Sequence, residues 1–280
     1  MKNITISLLI ILMYTNCIAQ TDNGSLRSLV NAEEYFNLLA NKDGIKKGYL
    51  KVLDKDGIVF RPVPLNGTKF YRNEPENSIE LSWKPEYAMI AKTGDFGFTT
   101  GPYLIKDGDK EIYGHYVSVW KADSKNIWKL VLNGEISHPK PSSEIKFEYN
   151  SPLDNKYPRL MGPKKIQMRE DIVMSTDILL GKALSTSGIK NLYEFYDDKV
   201  RVYFPGHLPV IGRNNALKFI KEENLNMTSK PDFADRAFSG DMAYTYGTAE
   251  ILGKHYSYVR IWKIAEEMKW NIILDVYMLQ

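Results

Sequence analysis

Residues 94–103 read GDFGFTTGPY, and residues 115–133 read HYVSVWKADSKNIWKLVLN. The pattern returns as GDMAYTYGTA at residues 240–249 and as YSYVRIWKIAEEMKWNIILD at residues 256–275. In each copy one Trp ends an apolar strand and a second Trp follows eight residues later in the next strand: Trp120 and Trp128, then Trp262 and Trp270. A repeat of this length, with copies so far apart in the chain, indicates duplicated domains.

The overall composition is that of a soluble globular protein. The 280 residues are 44% hydrophobic and 25% charged, enough for one large or two ordinary domains. The formal net charge is only +3, and the charges are interspersed, which argues against a nucleic-acid partner. Eighteen Tyr and five Trp are a high aromatic content, which suits either large cores or aromatic-lined pockets.

The N-terminus predicts export. Lys2 is followed by a mostly apolar run at residues 4–13 and by small residues up to Ala19. This is typical of a secretory signal peptide cleaved after Ala19, and the run is too short for an ordinary membrane span. The alternative is a lipoprotein signal acylated at Cys17, although the residues before Cys17 fit it poorly. Since Cys17 is the only cysteine, we expect the mature chain to contain no disulfide and to depend on its core for stability. The signal peptide predicts a periplasmic or secreted protein.

Helices precede strands in the first half of the chain. Apolar residues at helical spacing predict a helix over residues 25–40, followed by shorter helices at residues 45–53 and 68–72. Apolar and aromatic runs bounded by turns then predict strands at residues 58–60, 79–83, 87–93, 96–103, 112–121 and 127–132. This order predicts an α+β fold in which an antiparallel sheet curls around helices.

The second half repeats the order after a connector rich in Pro, Ser and Asn. A helix is expected at residues 170–185, and Asn214 is the expected cap of another at residues 216–221. Strands are expected at residues 235–238, 242–252, 256–263 and 269–278. We therefore divide the chain into a signal peptide (1–19), a first domain (20–139), a linker (140–165) and a second domain (166–280).

Five motifs follow one another in the first domain: Val59-Phe60-Arg61-Pro62, LSWKPEYA (81–88), GDFGFTTGPY (94–103), GHYVSVWK (114–121) and Ile136-Ser137-His138-Pro139. This run resembles exported bacterial proteins of the nuclear transport factor 2-like superfamily, of the SnoaL-like type with a domain of unknown function. The resemblance implies two tandem cones, each a curved antiparallel sheet wrapped around helices over an interior cavity. Its members include isomerases, dehydratases, cyclases and non-catalytic binding domains, and no catalytic motif of theirs matches here.

His115 is the strongest candidate for acid–base chemistry. It shares a strand face with Tyr113, and if that face lines the cavity it could act beside Tyr103. The alternative is a hydrogen-bonded structural histidine. Tyr246 in the second copy and His207 in a loop complete the candidate pocket residues.

The polar positions do not repeat between the two copies. His115 aligns with Ser257, and Asn133 aligns with Asp275. Any chemistry is therefore expected in one domain, and we favour the first.

Cofactor and metal motifs are absent from the sequence. The four His residues have no zinc-site spacing, and there is no nucleophile elbow, P-loop or dinucleotide fingerprint. We therefore expect no cofactor and no metal.

Three functions stay open. The first is a non-catalytic protein that binds a small apolar ligand in an aromatic-lined cavity, with the two domains packed as a pseudo-dimer. The second is an isomerase-, dehydratase- or cyclase-type enzyme that uses the His115–Tyr103 pair. The third is an interaction module with packed cones and an exposed apolar patch.

Overall fold

The computed structural model describes residues 24–75, 79–123, 125–142, 148–150, 162–265 and 268–280. The predicted signal peptide and most of the predicted linker lie outside these residues. The described residues form two sheets, of eight and six strands, and each sheet packs against its own helices. The predicted α+β class, with two similar sheet-and-helix domains, is confirmed.

The first domain begins with a helix whose N-terminus is well capped. The Ser25 hydroxyl accepts from the Ser28 amide at 3.1 Å, and the Ser28 hydroxyl accepts in turn from the Ser25 amide at 3.2 Å. The elements in order are α1 (Leu26–Asp43), α2 (Ile45–Val52), β1 (Leu53–Phe60), β2 (Pro64–Asn66), α3 (Gly67–Asn73), β3 (Glu80–Trp83), β4 (Tyr87–Ile90), β5 (Phe96–Asp107), β6 (Lys110–Ala122), β7 (Trp128–His138) and β8 (Glu148–Asn150). Their sheet order is β2-β1-β7-β6-β5-β4-β8, and β3 also pairs with β5.

The second domain repeats this plan with a longer first helix. Its elements are α4 (Pro163–Ser187), a 3₁₀ turn (Gly188–Asn191), α5 (Leu192–Phe195), β9 (Tyr196–Tyr203), β10 (Val210–Ile211), α6 (Arg213–Glu222), β11 (Met227–Arg236), β12 (Met242–Ile251), β13 (Lys254–Ile264) and β14 (Trp270–Leu279). The sheet order is β10-β9-β14-β13-β12-β11. Strands β9 and β14 are parallel, as are β1 and β7 in the first domain.

The repeated Trp strands carry a repeated irregularity. The register of β6 against β7 shifts between Val119 and Trp120, and that of β13 against β14 shifts between Ile261 and Trp262. Such a bulge bends a strand and increases its local twist. The two copies are therefore bent at the same point, next to the first Trp of each pair.

Each sheet buries both of its faces. The face that carries Trp120 packs on α1 and α2, and Trp262 lies in the corresponding core of the second domain. The opposite faces meet in a third core, where Val119 and Leu132 of the first sheet join Val259 and Val276 of the second, among others. The two domains thus pack sheet against sheet.

Several boundaries differ from the sequence predictions. Strand β1 begins at Leu53 rather than residue 58, since its register shift accommodates the polar residues that were read as a turn. Strand β11 is far longer than the predicted residues 235–238. It is an edge strand with many polar, exposed residues, so most of it lacks the apolar pattern on which the prediction relied. Gly212, not Asn214, occupies the N-cap of α6. Helix α4 begins at Pro163, a favoured first helical residue.

Part of the predicted linker also has regular structure. Residues 148–150 form β8, which pairs in parallel with β4. The domain boundaries themselves stay a prediction.

Candidate functional site

The cone of the first domain is filled by its own aromatic side chains. The ring of Phe36 lies 4.7 Å from that of Trp83 and 4.7 Å from that of Tyr49, both edge to face. The void left beside them is about 10 Å³, lined in part by Tyr103 and Asn133. A void of this size holds one water molecule at most. The enclosed ligand cavity expected in this domain is therefore absent among the described residues.

A buried carboxylate lies between α1 and the first sheet. Glu33 of α1 is fully buried and accepts hydrogen bonds from the indoles of Trp83 at 2.6 Å and Trp120 at 2.8 Å. The Thr99 hydroxyl donates to it at 2.5 Å. Burial raises the pKa of Glu33, and these hydrogen bonds oppose the rise. Glu33 was missed from sequence, although it lies on the apolar stripe of α1 with Leu29, where a carboxylate needs buried donors.

The side chain of Arg61 has hydrogen-bond and ion-pair partners in the first domain. Arg61 donates to the hydroxyls of Tyr49 at 2.9 Å and Tyr71 at 2.8 Å, and its guanidinium lies 3.6 Å from Glu135. Burial and the Glu135 carboxylate raise the pKa of Tyr103 nearby. The open hollow beside Arg61 measures about 190 Å³. That is below the roughly 300 Å³ at which ordinary ligand pockets begin.

The cone of the second domain is filled by a buried charge cluster. Arg260 is fully buried and pairs with Asp177 of α4 and with Asp275 of β14, the latter at 3.2 Å. The hydroxyls of Tyr258 and Tyr196 donate to Asp177 at 2.9 Å and to Asp275 at 2.8 Å. Burial raises the pKa of Asp275, while Arg260 opposes the rise. These groups satisfy one another, so the cluster is a structural core.

The structure places His115 and Tyr103 on opposite faces of their sheet. Tyr103 stands opposite Gly114 in the β5–β6 register, and its ring belongs to the helix-facing core. His115 is the next residue along β6, so its side chain points to the other face of the sheet. There it is 1% exposed, with its ring 5.2 Å from that of Tyr203 in the second domain.

His115 instead belongs to a buried network between the domains. The Nδ1 of His138 lies 2.7 Å from the carbonyl oxygen of Pro139, so it carries a proton and leaves Nε2 to accept from His115 at 2.7 Å. The Nε2 of His115 faces a Glu86 carboxylate oxygen at 3.4 Å, and Glu86 also pairs with Arg201 of the second domain at 3.4 Å.

The remaining candidate pocket residues lie apart from one another. The hydroxyl of Tyr113 donates to Glu111 at 2.5 Å in an exposed pair. His207 packs its ring on Phe219 of α6 at 5.0 Å. Tyr246 lines a cleft between the two domains. The five predicted residues therefore form no common pocket.

The cleft at Tyr246 has a volume of about 810 Å³. Both domains contribute to its walls: Asp54, Asp56, Gly57, Ile58, Lys121, Ala122, Asp123, Lys129 and Val131 from the first, and Phe233, Asp235, Phe238, Tyr244 and Tyr246 from the second. One ion pair spans it, since the Nζ of Lys121 lies 2.6 and 2.8 Å from the two carboxylate oxygens of Asp235.

An aromatic cluster forms the second domain's wall of this cleft. The ring of Phe233 stacks on Tyr246 at 5.2 Å and lies 5.8 Å from Tyr244, and it remains 39% exposed. Tyr244 is only 4% exposed. Within the described part of the chain, neither tyrosine hydroxyl has a hydrogen-bond partner. These two hydroxyls are free to bond a ligand.

Other kinds of site find no support in the described ranges. No group of three or more His, Cys, Asp or Glu residues there is placed to hold a metal ion. No helix in the same ranges is both long and apolar enough to cross a membrane.

The two sheets, their helices and the filled cones define an α+β protein with a nuclear transport factor 2-like fold. The solved structures similar to this chain include a nuclear transport factor 2-like protein from Cytophaga hutchinsonii, at 15% identity and a TM-score of 0.34, covering 43% of this chain and 100% of that one. Nuclear transport factor 2 from Cryptosporidium parvum is 13% identical with a TM-score of 0.33, covering 40% and 95% of the two chains.

A putative ketosteroid isomerase from Parabacteroides distasonis is 16% identical with a TM-score of 0.32, covering 39% of this chain and 85% of its own. No protein-family model and no curated protein matches the chain. Similarities at this identity and TM-score say nothing about the function of this chain.

Proposed function

We propose that the protein binds a small, mostly apolar molecule without chemical turnover, and that the molecule lies in the cleft between the two domains. The observation that carries this proposal is the 810 Å³ cleft with its exposed aromatic wall. Its volume falls within the range of roughly 300–1,000 Å³ that small-molecule sites occupy. The core of the first domain leaves a void of only about 10 Å³ beside its aromatic rings, and Arg260 with its partners occupies the core of the second.

The cleft wall supplies the contacts that such a ligand needs. The exposed face of Phe233 offers a rigid ring for stacking, and Ile58 and Val131 add apolar surface on the opposite domain. The free hydroxyls of Tyr244 and Tyr246 can orient a polar group of the ligand. A few convergent polar groups in an apolar hollow are typical of ligand sites.

The enzyme alternative lacks a catalytic pair in an accessible pocket. His115 is buried between the domains, and Tyr103 lies on the other face of its sheet. The interaction-module alternative predicts packed domain cores, which the structure has, but it gives no role to the cleft.

Titration with N-phenyl-1-naphthylamine, a neutral dye whose fluorescence rises in apolar surroundings, tests this proposal. We expect saturable binding that Phe233→Ala weakens about fivefold, since one stacked ring contributes about 1 kcal/mol. Tyr35→Ala is the matched control, because Tyr35 is 47% exposed on α1 and outside the cleft. Absence of saturable binding, or equal affinity of Phe233→Ala and wild type, would overturn the proposal.

We further propose that the protein is exported and that its two domains, residues 20–139 and 166–280, arose by duplication. The apolar N-terminal run supports export, and the paired Trp strands with their repeated bulges support duplication. The intact mass of the protein from a periplasmic extract tests export. A mass that retains residues 1–19 would contradict cleavage after Ala19.

A further inference from the structure

The side chains that line the cleft carry more negative than positive charge. Its walls carry four Asp and two Lys, a formal sum of −2. Lys121 pairs with Asp235 at 2.6 Å. Backbone hydrogen bonds from Ile127 and Lys125 lower the pKa of Asp123, and the positive charge of Lys129 adds to this effect. The two remaining acids are Asp54 and Asp56.

Of these two acids, Asp54 faces the cleft more directly. Asp56 is 81% exposed at its side chain and lies 3.6 Å from the equally exposed Lys55. Asp54 is half-buried, and one of its carboxylate oxygens accepts from the Asp56 amide at 3.0 Å. Its other oxygen has no hydrogen-bond or ion-pair partner within the described ranges, which leaves an unneutralised charge at the cleft.

The hydroxyl of Tyr244 also lies in a negative environment. Burial raises the pKa of Tyr244, and the carboxylates of Asp235, Asp54 and Glu170 add to the rise. Lys121 neutralises Asp235, so a positive group placed at this hydroxyl gains its attraction chiefly from Asp54. The free hydroxyl oxygen can accept a hydrogen bond from it.

The aromatic wall adds a second preference for positive charge. Tyr244 and Tyr246 flank Phe233, and Tyr244 is backed by Phe96 with the two rings stacked at 6.0 Å. The faces of such rings carry partial negative charge and attract ammonium groups by about 0.5–2 kcal/mol. The rings and the carboxylates thus favour the same sign of charge independently.

We propose that the cleft selects an organic cation, an ammonium group attached to an apolar body. The ammonium lies among the rings of Phe233, Tyr244 and Tyr246 on the side of Asp54, and the apolar body covers Ile58 and Val131. This inference rests on the proposed ligand-binding function and adds the chemical class of the ligand.

Calorimetric titration with three probes tests the selection. Benzyltrimethylammonium is the cation, phenylacetamide the neutral comparison and phenylacetate the anion. We expect the cation to bind about 3- to 30-fold more tightly than the amide, as the cation–π attraction predicts. The anion is expected to bind most weakly. Equal affinities, or tighter binding of the anion, would overturn the inference.

The second domain supplies a matched control for Asp54. Asp197 occupies the equivalent place before β9's apolar residues, and its carboxylate accepts from the Lys199 amide at 2.9 Å, but it lies outside the cleft. We expect Asp54→Asn to weaken benzyltrimethylammonium binding about 3- to 10-fold, and Asp197→Asn to leave it unchanged. Equal effects of the two substitutions would refute the role of Asp54.

The naphthylamine dye separates failure of this inference from failure of the proposed function. If the dye binds in a Phe233-dependent way while the cation shows no preference, only the ligand class is wrong. If neither the dye nor any of the three probes binds, the proposed function fails with it.

Discussion

Replacement of Arg260 by Met is expected to destabilise the second domain severely. The guanidinium is fully buried and pairs with Asp177 and Asp275, and it also donates to Ser229 and Tyr277 at 3.2 Å each. The substitution leaves two carboxylates in the core without a cation. Removal of one partner of a buried ion pair costs about 3–5 kcal/mol. That is a large part of the roughly 5–15 kcal/mol by which a domain is stable.

The loss is expected to depend on pH with a definite sign. Burial already raises the pKa of Asp275, and Arg260 is the main group that opposes the rise. Without Arg260 the folded protein holds a proton on the Asp275 carboxyl that the unfolded chain releases above about pH 4. Since the folded state then binds more protons, its stability falls as pH rises through the raised pKa. The variant's deficit is therefore larger at pH 8 than at pH 5.

Urea unfolding followed by tryptophan fluorescence measures this deficit at both pH values. Lys218→Met is the control, since Lys218 and Glu222 form an exposed pair at 3.7 Å, and we expect a change below about 0.5 kcal/mol. Adding Asp275→Asn to Arg260→Met is expected to recover part of the loss. A deficit under about 1 kcal/mol at pH 8, or one that does not shrink at pH 5, would refute the reasoning.

Three further predictions concern other buried groups. Burial, and to a lesser extent repulsion from His115, lower the pKa of His138, so its contribution to domain packing is complete above about pH 6.5 and declines as pH falls. Amide exchange of the interface strands should show this in wild type, and an identical pH profile in His138→Gln would contradict it. Glu33→Leu leaves two indole N–H groups without an acceptor and should cost at least about 3 kcal/mol in urea unfolding, against about 1 kcal/mol for Glu33→Gln. A Cβ at Gly101 or at Gly247 would lie 2.1 Å from a backbone carbonyl oxygen, so Ala at either position should lower the free energy of unfolding in urea by about 1–3 kcal/mol. Gly162→Ala is the control, since a Cβ there meets no atom within 4 Å and the substitution should cost little.

The position of His115 shows a limit of sequence interpretation. Residues 114–120 of β6 are all buried, because one face packs on helices and the other on the second domain. A strand buried on both faces has no polar alternation to mark which side faces the cone. The choice of face for His115 was therefore arbitrary from sequence.

Local patterns in the sequence determined the order of helices and strands and the α+β class. Helical spacing, turn residues and paired Trp strands act over a few residues, so they can be read before the chain is folded. The buried partners of Glu33 and Arg260 could not be predicted from the sequence, since their hydrogen bonds to Trp83 and Asp177 join residues far apart in the chain.

The cleft was decided by tertiary structure alone. Its walls come from residues 54–58, 121–131 and 233–246, which are brought together only when the two sheets pack. The first domain does not cover the ring of Phe233 or the hydroxyls of Tyr244 and Tyr246, so these groups line the open cleft. No local sequence pattern predicts which residues stay uncovered, because this depends on how the two sheets pack against each other.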